Sequence, residues 1–375
     1  NEERTIGACI RKAQACFRSL GIEGEVVVAD NGSSDQSIAI AESLGARVVR
    51  ERRKGYGSAL MRGIEAARGE IIVMADADGS YDWGAIGGFV QKIRSGYDVV
   101  LGNRFQGGIE RGAMPFLNRY VGNPVLSLLA RVTHGAPVGD FHCGMRAFTK
   151  TAYAKMGLST PGMEFATEMI VNAARASLRI TEIPTPLHRD GRDRASHLRP
   201  FRDGWRHLRF ILTYAPNYLY LAPGALLMLI GLVLVGALAG GPIEVGGHYV
   251  GIHFLALGCM LVLMGFNVIH FGVLAKMAGA SQNPSPASRV QRWAVRRFTL
   301  EGGLLLGGAL FFVGIAIDAY ILWKWVGNSL GRQDETVHVA FVATLLVVLG
   351  MNTVFSSFLL NMFATAQRAR QPQED

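Results

Sequence analysis

Cysteine is scarce in this 375-residue chain, which has only Cys9, Cys16, Cys143 and Cys259. No two form a Cys-x-x-Cys pair and Cys259 lies in an apolar run, which argues against a thiolate zinc site and a disulfide framework. That fits a catalytic domain on the reducing side of a membrane. A dinucleotide-binding G-x-G-x-x-G is missing as well; its nearest echo, Gly55-Tyr56-Gly57, has Leu60 where the third glycine belongs. No basic-aromatic recognition module accompanies the formal net charge of +9, so nucleic acid is not the expected partner. Much of the excess cation sits at 175–210 and 276–300, beside long apolar runs, and points to a membrane surface or a phosphate-bearing lipid. Neither Met nor a targeting segment opens the chain. Asn1-Glu2-Glu3-Arg4 leads directly into a helix-like stretch, Thr5–Leu20, so residues are expected to precede Asn1, and a signal peptide is argued neither for nor against.

Long stretches after Tyr218 lack charge. Leu221–Gly241, Tyr249–Ala275 and Val337–Ala366 contain no Asp, Glu, Lys or Arg, and Gly302–Trp323 contains only Asp318. A spanning helix needs roughly 20 apolar residues, about 30 Å at 1.5 Å per residue. Four such runs in succession predict four membrane spans rather than buried helices of a soluble core. The linker Lys276–Arg297 carries Lys276, Arg289, Arg292, Arg296 and Arg297, whereas 242–248 has no Lys or Arg and 326–336 has only Arg332. Positive charge marks the cytoplasmic side, which places the catalytic domain, the 276–300 loop and the Arg368/Arg370 tail there, in a multi-pass protein of the plasma membrane. Ahead of the spans, Phe201–Tyr214 mixes Arg, His, Trp and Phe and suits a helix lying along the interface; a plain surface helix is the alternative. The expected organisation is a catalytic domain over 1–200, a juxtamembrane helix over 201–217, four spans over 218–366 and a cytoplasmic tail over 367–375.

Residues 25–105 alternate strand and helix patterns. Apolar, β-branched runs at Glu25–Ala29, Arg47–Val49, Glu70–Met74 and Asp98–Leu101 read as strands, separated by helical patterns at Asp35–Leu44, Gly57–Arg68 and Asp82–Arg94. Gly45, Gly69 and Gly96 fall where helices should end. This rhythm predicts an α/β domain with a mostly parallel sheet covered by helices, whose ligands bind beyond the carboxyl ends of the strands. Residues 105–200 are less regular, with helical segments near Asn118–Thr133 and Phe165–Ser177 and a strand-like Arg179–Ile183.

Two predicted strands end in acids. Met74-Ala75-Asp76-Ala77-Asp78-Gly79 puts two carboxylates one residue apart at a strand end, where both can reach one hard cation. Mg²⁺ or Mn²⁺ takes such oxygen ligands and shares them with substrate phosphates. A D-x-D alone is a weak signal; the preceding strand, Asp30 and the arginines that follow strengthen it. Asp30, in Val26-Val27-Val28-Ala29-Asp30-Asn31-Gly32-Ser33-Ser34-Asp35, can accept hydrogen bonds from a base or a ribose, although the same residues are good turn and capping chemistry, with Asp35 as a cap.

The order N-E-E, V-x-D-N-G-S-x-D, K-G-x-G-x-A-L, D-A-D, G-N-R and C-G-M-R-A-F resembles glycosyltransferase family 2 across roughly residues 1–215. Within it the chain is similar to dolichyl-phosphate mannose synthases and bacterial polyprenyl-phosphate glycosyltransferases. The resemblance implies a Rossmann-like GT-A fold, preceded by a first strand that would lie before Asn1. It also implies inverting transfer of a hexose from a UDP- or GDP-linked donor to a polyprenyl phosphate, with Mg²⁺ or Mn²⁺ as cofactor. Donor binding falls to Glu2, Asp30, Lys54, Asp76, Ala77 and Asp78, and the metal to Asp76 and Asp78, Asp78 being the more direct ligand. Arg104, Arg119, Arg146 and Glu168 fall at the acceptor phosphate, and Asp78, Arg104 and Arg119 carry catalysis. Asp140 and Arg146 match a D-x-x-x-G-x-R loop. One departure stands out: a further metal ligand expected two residues after the second Asp is replaced by Ser80.

Plain structural readings stand beside these. Arg104, Arg119 and Glu168 suit solvated strand-end or helix-face charges, and His142 an ordinary loop residue. Arg189, Arg192, Arg194, His197, Arg199 and Arg202 suit either the lipid phosphate or anionic headgroups. A phosphate acceptor is already anionic, so no strong general base is expected; a neutral lipid hydroxyl, as in diacylglycerol, would need one near the D-x-D. A lipid-sugar carrier with a non-catalytic head is the rival of another class, with Asp318 as a functional intramembrane acid, although its position beside the aromatic-rich Tyr320–Trp325 instead suggests an interfacial residue. A polysaccharide synthase would carry Q-x-x-R-W, of which Gln291-Arg292-Trp293 is only a partial echo. A homo-oligomer is left open.

Overall fold

In the computed structural model, residues 1–191, 200–282, 299–327 and 336–368 are described. Arg192, Arg194, His197 and Arg199, the linker arginines 289, 292, 296 and 297, Arg332, Gln291, Trp293 and the tail beyond Arg368 lie outside the described residues. The chain divides into two units, Asn1–Thr213 and Tyr214–Asp375.

In the first unit, helix α1 (Ile6–Leu20) forms because Ile6, Cys9, Ile10, Ala13 and Cys16 recur on one face and are buried. Strand β1 (Val27–Asp30) follows, then α2 (Ser37–Ser43), β2 (Arg47–Arg50), α3 (Tyr56–Ala66) and β3 (Ile71–Met74). A 3₁₀ turn, Trp83–Ala85, leads into α4 (Ile86–Arg94), and β4 (Val99–Asn103) runs into the short α5 (Arg104–Gly107). A π-helical turn at Asn118–Gly122 precedes α6 (Asn123–His134). The rest is β5 (Arg146–Thr149), α7 (Lys150–Met156), α8 (Phe165–Arg175), β6 (Ile180–Pro184) and α9 (Pro200–Thr213).

β1 and β2 pair in parallel, Val27 opposite Arg47 through Asp30 opposite Arg50. A second sheet has the order β3-β5-β4-β6. β5 runs against both β3 and β4, while β4 and β6 are parallel, so three of the four strands share one direction. The sequence pattern locates β1, β2, β3, β4 and β6 within a few residues but has no strand at Arg146–Thr149. β5 escapes it because four residues led by an arginine make neither an alternating nor a continuous apolar run. Phe89, Val100, Met145 and Ala147 are fully buried or nearly so in the core between α4 and this sheet. A second apolar cluster joins Ile6, Ile10 and Ala41 to Val28 and Ala77, tying the end of β3 to α1, α2 and β1.

Among the described residues, the second unit has four helices long and apolar enough to cross a membrane: Asn217–Leu238, Ile252–Ala278, Leu300–Gly327 and Val337–Thr365. They lie in α10 (Ala222–Leu238, entered through a π-helical turn), α11 (Ile252–Gln282), α12 (Leu300–Gly327) and α13 (Val337–Arg368). A hairpin of β7 (Ile243–Val245) and β8 (His248–Val250) joins the first two. Glycine allows close backbone approach within two helix pairs. A Cβ on Gly231 of α10 would lie 2.6 Å from the Val262 nitrogen of α11, and one on Gly350 of α13 would lie 2.6 Å from the Phe311 nitrogen of α12. Larger side chains, including Leu255, Cys259 and Val262 from α11 and Phe341 and Leu345 from α13, fill the space between α11 and α13.

Candidate active site

Three strand ends carry the residues singled out in the sequence. β3 is an Ile-Ile-Val-Met run, and the chain leaves it at Met74, two residues before Asp76. Asp76 sits against Gly144, where a Cβ would lie 2.9 Å from Asp76 Oδ2, so any larger residue there would displace the carboxylate. Gly144 N donates to the Tyr81 hydroxyl at 2.8 Å. Burial, then the charge of Asp76, hold the Tyr56 phenol well above its ordinary pKa, so it stays protonated and donates to Asp76. Asp78 is 8% exposed; its Oδ1 accepts from Ser80 N at 3.0 Å and from Ser80 Oγ at 2.6 Å. Gly79, at φ +80°, makes the turn. The loop is fixed from outside by Gly191 N donating to Asp78 O and His188 N donating to Ser80 O. Ser80 therefore supports Asp78 through its hydroxyl. Among the described residues no cluster of three or more His, Cys, Asp or Glu forms a complete metal site.

Asp30 closes β1. It is 7% exposed and accepts from Gly32 N (3.0 Å) and Ser33 N (2.9 Å). Burial alone would raise its pKa, but the Ser33 and Gly32 hydrogen bonds outweigh it and keep the carboxylate ionised. Asn31 braces this turn against the β2–α3 loop, donating to Glu51 O and Arg53 O and accepting from Gly55 N. Lys54 Nζ donates to Asn31 O at 2.6 Å, and so lies over the same turn. Glu2 is next to this region: its backbone N donates to Ser37 Oγ, and its carboxylate accepts from Thr5 Oγ1. Asp35 accepts from Ser37 N and Ser37 Oγ at the start of α2, as its sequence position suggests. Ala77 contributes an apolar contact to the cluster beneath the loop.

Three residues expected at the acceptor phosphate, Arg104, Arg146 and Glu168, are engaged inside the protein. Arg104, at the end of β4, makes a bidentate ion pair with Asp140, Nε–Oδ2 2.7 Å and Nη2–Oδ1 2.8 Å, and is 8% exposed. Glu182 of β6 holds the same loop, accepting from Asp140 N (2.9 Å) and Asn103 Nδ2 (3.1 Å). Arg146 has no exposed surface: its guanidinium donates to the carbonyls of Cys143, Phe141 and Ala166, which solves the problem of a cation at the head of a central strand. Glu168 is 5% exposed and accepts from Ser159 N, Ser159 Oγ and Thr160 N, clamping the 159–162 turn. That turn packs on α3, where Pro161 O accepts from Ser58 N and a Cβ on Gly57 would lie 2.1 Å from Thr160 O. Arg119 differs. It is half-buried in the π-helical turn, donates one long hydrogen bond to Ile109 O (3.4 Å) and lies 5.4 Å from the Tyr120 ring.

Sequence reasoning missed Tyr56, Tyr81 and Glu182. The tyrosines stood inside quoted motifs or beside them, but a phenol's partner is a matter of tertiary structure, and Glu182 looked like the polar position of an ordinary strand.

The α/β unit with a D-x-D loop at a strand end, followed by four apolar helices, defines the class. Residues 1–157 match the model of glycosyl transferase family 2, and residues 273–364 match that of the glycosyltransferase family 2 C-terminal transmembrane region. The low-salt glycan biosynthesis hexosyltransferase Agl6 of Haloferax volcanii is 40% identical over 363 residues, 96% of this chain and 86% of that protein. A dolichyl-phosphate hexose transferase of the same organism is 34% identical over 206 residues, 54% of this chain and 85% of the relative. An undecaprenyl-phosphate 4-deoxy-4-formamido-L-arabinose transferase of Pseudomonas fluorescens is 27% identical over 187 residues, 48% of this chain and 53% of the relative. The chain belongs to glycosyltransferase family 2. It is a multi-pass membrane glycosyltransferase whose first unit has the GT-A fold.

Proposed function

We propose that the protein transfers a hexose, with inversion, from a UDP- or GDP-linked donor to a polyprenyl phosphate at the cytoplasmic face of the plasma membrane. The observation that carries this reading is the doubly braced Asp76–Asp78 loop at the end of β3, with Asp78 buried, in a chain with four candidate spans among the described residues. The names of the relatives that act on dolichyl or undecaprenyl phosphate support the acceptor class. The distribution of Lys and Arg between the loops supports the orientation.

Two hard oxygen donors with Ser80 behind them, and no third acid or imidazole clustered with them among the described residues, fit a Mg²⁺ or Mn²⁺ ion that completes its shell with the donor's phosphates and water. When bound, the ion neutralises charge that builds on the departing diphosphate. The protein's own residues do the rest. Asp30, Glu2 and Lys54 hold the nucleoside and its phosphates. The Tyr56 hydrogen bond fixes Asp76, and Ser80 fixes Asp78. Arg104 acts through Asp140 as a brace on the acceptor side, and Arg119 is the cation placed to meet an incoming phosphate. The acceptor oxygen attacks the anomeric carbon, the bond to the nucleoside diphosphate breaks, and no proton need be removed because the phosphate is already anionic. Catalysis then comes from holding two anions in line and offsetting their repulsion.

The test is a donor screen: purified full-length protein, polyprenyl phosphate and labelled UDP- and GDP-hexoses, with organic-phase product as the readout. Product should form with one donor class and vanish in Asp78→Asn. Absence of any lipid-phosphate product across all donors sinks the proposal, and product on diacylglycerol instead would identify a hydroxyl acceptor.

A further inference from the structure

α9 meets the loop ahead of β5 through the ring of His207, and the start of α8 through an Arg206–Glu164 ion pair at 3.8 Å. His207 and Ile211, four residues apart on this helix, are buried, whereas Phe201 and Trp205 are 81% and 61% exposed. The His207 Nδ1 lies 2.9 Å from Thr167 Oγ1 of α8, which fixes the imidazole. Its ring meets that of His142 edge-on, with centroids 4.7 Å apart and planes at 68°. His142 belongs to the loop that ends β5's approach: its backbone N donates to Asp140 Oδ1 at 3.2 Å, on the carboxylate that grips Arg104. Two residues further on, Gly144 lies against Asp76. His142 Nε2 is shielded from solvent and has no hydrogen-bond partner in the structure, so the neighbouring imidazole, rather than a bond from that nitrogen, marks its place.

We propose that His142 and His207 are positioning residues that transmit the seating of α9 to the Asp140–Gly144 loop and so set the enzyme's affinity for its lipid acceptor. This rests on the reading of α9 as an interfacial helix and of the acceptor as a lipid phosphate. Phe201 and Trp205 give α9 an apolar side that a bilayer interface draws in. Thr167 prevents the His207 ring from turning independently, so a rotation or shift of the helix is delivered to His142 rather than absorbed by a rotamer change. From there the path is short: His142 N to Asp140, and Asp140 to Arg104. The nucleoside end of the donor site is built separately, since Asp30, Asn31 and Lys54 bond to Gly32, Ser33, Glu51, Arg53, Gly55 and one another.

Two measurements on full-length protein test this. In the first, His142→Ala and His207→Ala each raise the KM for polyprenyl phosphate about five- to tenfold, while donor KM and calorimetric binding of the nucleoside diphosphate stay within about twofold; the double variant is no worse than the worse single, because both remove one contact. His207→Asn keeps a polar group for Thr167 but loses the ring edge, and shows the same acceptor defect at wild-type Tm. Equal rises in donor and acceptor KM, additive effects in the double variant, or unchanged acceptor KM overturn the proposal. The second reads hydrogen exchange at the 139–146 amides in detergent and in anionic nanodiscs. Wild type shows slower exchange there in the bilayer, and His207→Ala loses that response; an equal response in both overturns the coupling whether or not the acceptor is a lipid phosphate. A wild type that shows the exchange response but makes no lipid product sinks the proposed function and leaves the coupling standing.

Discussion

Asp140→Asn isolates what the Arg104–Asp140 pair does. Asp140 has no exposed surface, and its carboxylate accepts four hydrogen bonds, from Arg104 N (3.1 Å), Nε (2.7 Å) and Nη2 (2.8 Å) and from His142 N (3.2 Å). An asparagine offers one oxygen and one NH₂ group, so whichever way it turns, a donor is forced against a donor. Arg104, only 8% exposed, is left with a buried charge and no counter-ion. Removing one partner of a buried pair costs about 3–5 kcal/mol. For a unit of this size 1 kcal/mol moves Tm by about 2–4 °C, so the transition of the catalytic unit should fall by roughly 6–20 °C. Scanning calorimetry of the detergent-purified full-length protein measures it. A second variant, Arg104→Met with Asp140→Leu, removes both charges and should recover most of the loss, because an apolar pair of similar volume carries no desolvation cost. A fall below about 2 °C in Asp140→Asn, or a double variant as unstable as the single, would refute the view that Asp140 holds Arg104 in place.

Gly57→Ala puts a methyl 2.1 Å from Thr160 O and 2.9 Å from Phe165 Cβ, and should cost about 1–3 kcal/mol and weaken nucleotide binding; Gly69→Ala, whose nearest neighbour would be at 3.5 Å, should be tolerated in the same thermal assay. Burial, and secondarily the charge of Arg175, push His134 down to about 4 from 6.5, against the opposing hydrogen bond to Ile211 O. Between those values the unfolded chain binds the proton and the folded one does not, so stability is full above about pH 6.5 and falls toward pH 4. His134→Gln, which cannot titrate, should flatten that stretch of the Tm–pH curve; an unchanged curve would assign the slope to other groups. Chelation with EDTA should abolish transfer, and added Mg²⁺ or Mn²⁺ should restore it; activity that survives exhaustive chelation argues against a metal at Asp76 and Asp78.

The parts that were legible in the sequence are those written in local pattern. The β-branched run before Asp76 marks β3 and its exit turn, and the Asp30-to-Asp35 turn carries its own hydrogen-bonding partners within a few residues. The four spans are legible from composition alone. What escaped depends on residues distant in the chain. Arg146 looked like a phosphate ligand because its type suits one, yet one of its acceptors, Ala166, is twenty residues on. Arg104 looked the same until Asp140, thirty-six residues later, came beside it. Glu168 turns back to Ser159 and Thr160 and serves the K-G-x-G turn from behind, a role no spacing rule announces. Residue type gave the chemistry available at each position; only packing decided whether that chemistry faced a ligand or the protein.

The glycine contacts in the membrane unit also limit how it can move. With Gly231 against Val262 and Gly258, and Gly350 against Gly307 and Phe311, a one-residue slip within either helix pair would drive a side chain into backbone. Each pair therefore has a single mechanical setting and behaves as one rigid part. Between α11 and α13 the joint is made of Leu, Val, Phe and Cys side chains, which can change rotamer without breaking the backbone fit. The two helix pairs thus meet through side chains there, whereas within each pair the helices meet through backbone.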